Sequence, residues 1–157
     1  MADRFTSEHR SKIMAAVRSR DTIPEKKVRS VAHRLGFRFS LRRNDLPGRP
    51  DLVFPRLKKV IFVHGCFWHR HHGCSRTTLP GTNQAFWEAK FDRNILRDIK
   101  ALAELQAQGW QSLVVWECEL KQFENLTERI KGFLQETQAG VPQSLKNDER
   151  RQRMRRT

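Results

Sequence analysis

The sequence has few cysteines, few acidic residues and no long hydrophobic run, and each shortage excludes a class of protein. No apolar stretch approaches the roughly 18–20 residues of a membrane-spanning helix, and residues 1–20 carry charges where a signal peptide would be apolar. Three cysteines cannot form a fully paired disulfide framework. Membrane insertion and secretion are therefore unsupported, and we expect a cytoplasmic protein with reduced thiols.

Basic residues are correspondingly abundant. The 31 lysines and arginines exceed the 17 aspartates and glutamates, which gives a net charge of +14 over 157 residues. This excess predicts a polyanionic partner, because arginine in particular makes forked contacts with phosphates. The length is that of one domain and is sufficient to bury a core without disulfides or a partner subunit, so we expect a monomer.

Apolar periodicity and turn residues predict an α/β domain, in which helices flank a mixed central sheet. The first elements are a basic helix capped by Ser7 within an N-terminal arm at 1–20, and a second helix that is capped by Asp21 or Thr22 and ends just before Gly36. The later elements are a strand at 37–41, a hairpin over 51–63, a helix at 83–107, a strand at 110–116 and a helix capped by Asn125. The domain covers 1–138, and residues 139–157 form a basic tail that we expect to be disordered.

The long helix at 83–107 has two candidate inner faces. An apolar stripe of four residues indicates burial of Phe91, Ile95, Ile99 and Leu102. Positions 91, 94, 98, 101 and 105 share another face, which would place Asp98 in a partly buried row. A solvated carboxylate on the helix surface is the alternative for Asp98.

Three unusual residues stand at predicted strand ends: Asp51, His64 and Cys118. The hairpin would bring Asp51 and His64 to the same end of the sheet, with the Val63 carbonyl between them. A carboxylate, a carbonyl and waters form an oxygen set that suits Mg²⁺. A turn residue after Pro50 is the alternative for Asp51, since aspartate is common in turns.

Residues 64–74, HGCFWHRHHGC, combine four histidines and two cysteines with a Phe-Trp pair. With the distant Cys118, this segment supplies three sulfurs and one nitrogen, the closed set typical of structural zinc: Cys66, His71, Cys74 and Cys118. The spacing C-x4-H-x2-C is not that of a standard zinc finger. Three buried free thiols without a metal are the alternative, because free cysteine packs well as a small hydrophobic residue.

Four segments resemble the Vsr family, the very short patch repair endonucleases: PGRPD at 47–51, HGCFWHRHHGC at 64–74, FWEAKFDRNILRD at 86–98 and VWECEL at 115–120. The resemblance extends from about residue 7 to 134 and leaves out the tail. It implies a restriction-endonuclease-like fold, a variant of the PD-(D/E)xK nucleases. It also implies nicking of one DNA strand beside the thymine of a T:G mismatch left by deamination of 5-methylcytosine. The usual E-x-K is absent, and Phe62, Val63 and His64 occupy its place.

The resemblance implies roles for individual residues. Asp51 would bind Mg²⁺ together with the Val63 carbonyl, and Glu25 and His64 would hydrogen-bond water at the metal. The general base would be His69, oriented by Asp98. An imidazole is a suitable base near pH 7, especially when a carboxylate holds its other nitrogen.

The resemblance also assigns a second group of residues to DNA and zinc. Phe67, Trp68 and Trp87 would enter the duplex beside the mismatch, although the residues alone indicate that either Phe86 or Trp87 is an ordinary core residue. In some relatives the zinc-binding histidine and the next cysteine are one residue closer, a spacing that His72 would restore. His71 is preferred because it keeps its distance from Cys66.

The implied partners are double-stranded DNA, with which the protein would associate in the nucleoid, and the mismatch-repair protein MutL. Two other functions are compatible with the residues alone. A zinc-stabilised nucleic-acid-binding module without catalysis would leave Asp51, His69 and Asp98 without a role. A zinc hydrolase would need an open fourth metal position, which Cys118 would fill.

Overall fold

The structure is a computed structural model, and it describes residues 6, 8 and 21–136. Its main elements are α1 (Ile23–Arg34), β1 (Leu52–Phe54), β2 (Lys59–His64), α2 (Gln84–Ala107), β3 (Gln111–Trp116), a 3-10 helix (Glu117–Lys121) and α3 (Phe123–Gln135). The predicted helix capped by Ser7 and the basic tail lie outside the described residues. None of the helices among the described residues is long and apolar enough to cross a membrane.

A three-stranded mixed sheet carries the fold, with β2 in the centre. β1 pairs with β2 in antiparallel register, with Leu52 opposite Ile61, and β3 pairs with β2 in parallel register up to His64 opposite Trp116. This arrangement confirms the predicted α/β class, the hairpin and the central position of the apolar strand. Because β2 and β3 are parallel, the segments that follow them leave the sheet at the same edge.

The two faces of the sheet are covered by different helices. α1 and α3 pack together over one face, where Val28 and Ile130 share a buried core with Ile61 of β2. α2 covers the other face, where Leu105 packs against Val60 and other alternating strand residues. Neighbouring residues on a strand point to opposite faces, which explains why β2 is apolar at nearly every position.

The boundaries of α1 follow its capping residues. Thr22 is the N-cap, since its Oγ1 accepts a hydrogen bond from the Glu25 N–H at 3.4 Å. Of the two predicted caps, Asp21 is therefore the wrong one. Gly36 follows the helix with a φ of +84°, a conformation that glycine adopts without a steric penalty.

The predicted strand at 37–41 is wrong. Only Ser40 forms a bridge, exchanging backbone hydrogen bonds of 2.8 and 3.0 Å with Val53. Phe37 and Phe39 pack edge-on against Phe54 and so cover the core beside β1. Arg42 has a φ of +60°, so the chain turns away from β1 and the pairing does not extend beyond the bridge at Ser40.

Two details of the later helices also differ from the predictions. Ile99 is 59% exposed, so the predicted apolar stripe is wrong at this position, whereas Phe91, Ala101 and Leu105 of the alternative face are buried. Packing against the sheet therefore buries the face with Ala101 and Leu105, although the face with Ile99 is the more apolar of the two. The last helix begins at Phe123 because the 3-10 helix runs directly into it, and Asn125 therefore lies in the first turn and is not the cap.

Gly48 allows the loop before β1 to pack closely against α2. A Cβ atom at this position would lie 2.7 Å from the Cβ of Ala101 and 3.1 Å from the ring of Phe62. Its φ of +73° is also unfavourable for other residues. Glycine at position 48 thus brings Asp51, three residues later, close to the helix that carries Asp98.

We expect Gly48→Ala to destabilise the fold more than Gly36→Ala does. Gly36 has a similar positive φ of +84°, but a Cβ atom added there would meet no other atom within 4 Å. Gly36→Ala therefore measures only the free-energy cost of placing alanine in this backbone conformation. That cost is about 1–2 kcal/mol, and overpacking at Gly48 should add about 1–3 kcal/mol. Urea unfolding of both variants measures the difference, and equal losses would show that the close contact with Ala101 is unimportant.

Candidate active site and metal centre

A cleft of about 860 Å³ opens at the edge of the sheet where β2 ends. Six residues singled out in the sequence line it: Glu25, Asp51, Val63, His64, His69 and Asp98. They come from α1, the start of β1, the end of β2, the following loop and α2. The structure therefore brings together all the residues predicted to be catalytic, while their roles stay predictions.

Asp51 is a largely desolvated carboxylate beside the end of β2. The Val63 N–H donates to its Oδ2 at 2.6 Å. The N–H and C=O of one strand residue face the same neighbouring strand, so the Val63 carbonyl also faces this edge. Burial raises the pKa of Asp51 to about 6, against the effect of the Val63 hydrogen bond, and the negative charge of Glu25 adds to the rise. A cation would relieve the cost of this buried charge.

Glu25 is held at the edge of the cleft by a network that the sequence did not reveal. Its Oε2 accepts hydrogen bonds from the Asp21 N–H at 3.0 Å and from Arg29 at 3.2 Å. Arg29 also pairs with Asp21 at 2.8 Å, and Arg42 pairs with Asp21 at 2.9 Å. The sequence does offer one signal for this network, because Asp21, Glu25 and Arg29 are spaced four residues apart, the spacing at which helical side chains can pair.

His69 and Asp98 form a short, charge-assisted hydrogen bond, with Nδ1 and Oδ2 2.7 Å apart. The imidazole of His64 stacks on that of His69 with ring centroids 3.8 Å apart and planes inclined by 7°. Burial, followed by the nearby charge of His69, lowers the pKa of His64 to about 4. His64 is therefore neutral near pH 7, and the stack restricts rotation of the His69 ring.

One face of α2 contacts four consecutive residues of the loop that follows β2. The contacts are Phe67 with Trp87 (centroids 6.1 Å apart), the Trp68 carbonyl with Asn94 (3.2 Å), His69 with Asp98 (2.7 Å) and Arg70 with Phe91 (4.0 Å). We call this set the α2 contact row. It uses the predicted 91, 94 and 98 face, but the role of Asn94 and Arg70 in it was not predicted.

The aromatic side chains form a cluster at one end of the α2 contact row. Trp87 is 7% exposed and packs against Phe67 and Phe91, whereas Phe86 is 57% exposed. Of the Phe86 and Trp87 pair, Trp87 is therefore the one that packs inside. Phe67 and Trp68 are half-buried and meet edge-to-face with centroids 5.1 Å apart.

The four predicted zinc ligands lie together. Their donor atoms are all within 4.8 Å of one another: Cys66, His71, Cys74 and Cys118. The Nδ1 of His71 lies 3.7 Å from the Cys66 Sγ and 3.4 Å from the Cys118 Sγ. His72 is exposed and outside the cluster, so the geometry favours His71 of the two candidates.

The surroundings of the Cys66, His71, Cys74 and Cys118 cluster affect both the orientation of the histidine ring and the ionisation of a thiol. The ring of Trp116 stacks on His71 with centroids 4.3 Å apart and planes inclined by 8°. Burial raises the pKa of the Cys66 thiol to about 12, so a thiolate at this position requires a cation. A closed set of three sulfurs and one nitrogen suits a soft divalent metal in a structural role.

Comparison with known proteins gives one consistent result. A family model described as DNA mismatch endonuclease Vsr matches residues 2–76. The chain is 48% identical over 134 residues to the type II nicking enzyme V.XorIIP of Xanthomonas oryzae, covering 85% of this chain and 98% of that protein. It is 44% identical over 128 residues to the DNA mismatch endonuclease Vsr of Escherichia coli, covering 82% and 81%. It is 41% identical over 143 residues to the type II nicking enzyme V.NmeAIP of Neisseria meningitidis, covering 90% and 100%.

Proposed function

Because this chain belongs to the Vsr family of DNA mismatch endonucleases, we propose that it nicks one strand of duplex DNA beside a mismatched base. The specific substrate in this proposal is the thymine of a T:G mismatch, in the repair of deaminated 5-methylcytosine. The observation that carries the proposal is the His69–Asp98 pair in the same cleft as the buried carboxylate of Asp51. The fold proposed with it is that of the restriction endonucleases.

Asp51 and the Val63 carbonyl are the proposed ligands of Mg²⁺. The fit rests on the chemistry of these groups, since a desolvated carboxylate and a carbonyl at one strand edge are oxygen donors of the kind Mg²⁺ accepts. When bound, Mg²⁺ neutralises charge on the phosphate and favours ionisation of water. Glu25 and His64 line the same cleft and would orient water beside Asp51.

His69 is the proposed general base. If its Nδ1 carries the proton donated to Asp98, its Nε2 is free to accept a proton from the attacking water. The new P–O bond then forms as the bond to the leaving sugar oxygen breaks. The proton from water resides on His69, and the leaving oxygen takes up a proton from solvent. Asp98 stabilises the resulting imidazolium, and His64 keeps the ring in place by stacking.

Zn²⁺ is the proposed metal of the Cys66, His71, Cys74 and Cys118 cluster, and its role is structural. Tetrahedral ligands at typical Zn–S and Zn–N distances lie about 3.5 Å apart. The observed Sγ to Nδ1 distances of 3.7 and 3.4 Å agree with that spacing. The site would fasten the loop carrying His69 to the chain just after β3.

Phe67 and Trp68 are proposed to enter the duplex at the mismatch. Trp87, which the resemblance also places in the DNA, is only 7% exposed and would support the pair from behind. Inserting apolar side chains costs a few kcal/mol for each unstacked base step, and a mispaired base lowers that cost. Part of the preference for a mismatch therefore arises from deformation of the DNA. The basic surface would supply the sequence-independent affinity for phosphates.

A nicking assay on end-labelled duplexes tests the proposed function. We expect cleavage of the thymine-containing strand of a T:G duplex in Mg²⁺, with no cleavage in EDTA and little of a matched T:A duplex. Labelling each strand separately distinguishes a nick from a double-strand break. Binding of the T:G duplex without cleavage in any divalent metal would contradict the proposal and favour a non-catalytic binding module.

We expect Asp98→Asn to lower kcat on the T:G duplex by about 10²- to 10⁴-fold. The amide can present its NH₂ group to His69 and so favour the wrong tautomer, and it cannot stabilise the imidazolium. Asp92→Asn is the matched control, because Asp92 is an exposed carboxylate on the same helix. Single-turnover kinetics of both variants measures the effect, and near-normal cleavage by Asp98→Asn would remove Asp98 from the mechanism.

A further inference from the structure

Arg70 is a half-buried cation in the loop between β2 and α2, and the proposed chemistry does not use it. Its guanidinium carbon lies 4.0 Å from the ring centroid of Phe91 and 5.7 Å from that of Phe67. Its Nη1 donates to the Thr78 carbonyl at 2.9 Å and, more weakly, to the Phe67 carbonyl at 3.4 Å. One side chain thus links two separate parts of the loop, at Phe67 and Thr78, to α2.

The contacts of Arg70 distinguish it from a residue that merely contributes surface charge. Within residues 21–136 no carboxylate pairs with Arg70, whereas Arg76 in the same loop pairs with Glu117 at 3.0 Å. Burial lowers the pKa of Arg70, as expected for a guanidinium withdrawn from water. The backbone of Arg70 also has a φ of +55°, which is unfavourable for a residue with a side chain. Internal contacts must therefore compensate for both costs.

We propose that Arg70 is a positioning residue that fixes Phe67 and Trp68 in the arrangement in which they enter mismatched DNA. The inference rests on the proposed function, in which these two side chains unstack the duplex. Stacking of Arg70 on Phe91 and its bond to the Phe67 carbonyl hold one side of the pair, and Asn94 holds the Trp68 carbonyl at 3.2 Å on the other. Arg70 acts through Phe67 and needs no contact with DNA itself.

Fixing the pair in advance favours mismatch binding for an entropic reason. Ordering a flexible loop and its side chains on binding reduces affinity, and a loop that is already ordered avoids this cost. The benefit applies only to complexes in which the aromatic pair enters the duplex. Arg70 should therefore increase binding and cleavage of the T:G duplex while leaving salt-dependent binding to matched DNA nearly unchanged.

The test compares the full-length protein with Arg70→Met, which keeps the length of the side chain but removes its donors and charge. We expect kcat/KM on the T:G duplex to fall about 10- to 30-fold, mainly through KM, as loss of a stacking contact and two hydrogen bonds would predict. Binding to a matched duplex should change by less than about twofold, and zinc content should be unchanged. Acrylamide quenching of tryptophan emission should increase, because the cluster of Trp68 and Trp87 loosens.

Arg56→Met is the matched control for charge, since Arg56 is an exposed arginine in the turn at the opposite end of the hairpin. Equal losses of T:G and matched binding in Arg70→Met would overturn the inference and indicate a simple phosphate contact. If Arg70→Met is poorly folded, Arg70→Lys decides, because lysine keeps the charge but not the planar fork. A normal ratio of T:G to matched affinity in Arg70→Lys would also overturn the inference.

Trp68→Ala separates failure of this inference from failure of the proposed function. If Trp68→Ala loses mismatch preference and Arg70→Met keeps it, only the role of Arg70 is wrong. If Trp68→Ala keeps its preference, the aromatic pair does not read the mismatch, and the roles of the pair and of Arg70 are both wrong, whereas the cleavage function is overturned only by the nicking assay. Loss of preference in both variants, with matched binding retained, is the expected result.

Discussion

Asp51→Asn should make the metal-free protein more stable at pH 7.5 and at the same time abolish DNA cleavage. The pKa of Asp51 is raised from 3.8 to about 6, mainly by burial, so the ionised carboxylate destabilises the fold above pH 6. A shift of this size corresponds to about 3 kcal/mol at most, and we expect a gain of about 2–3 kcal/mol from the neutral amide. The melting temperature in EDTA should rise by about 5–10 °C.

The sign of this effect depends on pH. Between pH 3.8 and about 6 the unfolded chain binds fewer protons than the folded chain at Asp51, so stability falls as the pH rises. Well below pH 3.8 both states are protonated at this position, and the advantage of Asp51→Asn should disappear. Asp45→Asn is the matched control, because Arg43 lowers the pKa of the exposed Asp45 to about 2 and that variant should gain no stability.

Loss of cleavage by Asp51→Asn should reach at least about 10³-fold, since a neutral amide is a poor ligand for Mg²⁺ and the proposed metal would supply several kcal/mol of stabilisation to the reaction. Titration with Mg²⁺ should stabilise the wild-type protein against heat and leave the variant unchanged. A variant that cleaves normally would exclude Asp51 as the metal ligand. A variant that loses activity without gaining stability would instead show that Asp51 is not a source of strain in the metal-free fold.

Cys118→Ala should lose the proposed zinc ion and much of the stability of the protein. Removing one of four ligands opens a closed site, and such sites supply on the order of 10 kcal/mol to the folding of small zinc domains. We expect less than about 0.2 zinc per chain and a loss of several kcal/mol. Metal analysis of the purified variant and thermal melting by circular dichroism measure the two quantities.

Variants of the two neighbouring histidines provide the controls. His71→Ala should also lose zinc, because His71 Nδ1 lies among the cysteine sulfurs. The exposed His72 is outside the cluster, so His72→Ala should keep one zinc per chain. Stoichiometric zinc in Cys118→Ala would refute the four-ligand site, and zinc loss in His72→Ala alone would reverse the choice of histidine.

The sequence was sufficient for those parts of the molecule that depend on short segments. The hairpin, the cap region of α1 and the burial of β2 follow from local periodicity and turn residues, and the structure confirms them. The Cys and His cluster could be predicted because one segment supplies three of the four donors. The α2 face at 91, 94 and 98 was also visible as a helical repeat.

Features that depend on tertiary packing were not accessible from the sequence. Residues 37–41 have the composition of a strand, but packing of Phe37 and Phe39 over Phe54 leaves only one bridge at Ser40. Ile99 is apolar and yet exposed, because the face of α2 that meets the sheet was already set by Ala101 and Leu105. No recognisable sequence motif indicates a role for Arg70, and its contacts with Phe91 and the loop carbonyls form only when the loop packs on α2. The sequence therefore did not predict them.

The α2 contact row has one more consequence, which concerns the distance between the mismatch and the cut. Phe91, next to the aromatic pair, and Asp98, next to the proposed base His69, are seven residues apart on one helix, a separation of about 10 Å along its axis. An α-helix is stiff at this scale, so α2 would keep the aromatic pair and the proposed base at a constant separation, as a nick at one fixed position beside the mismatch requires.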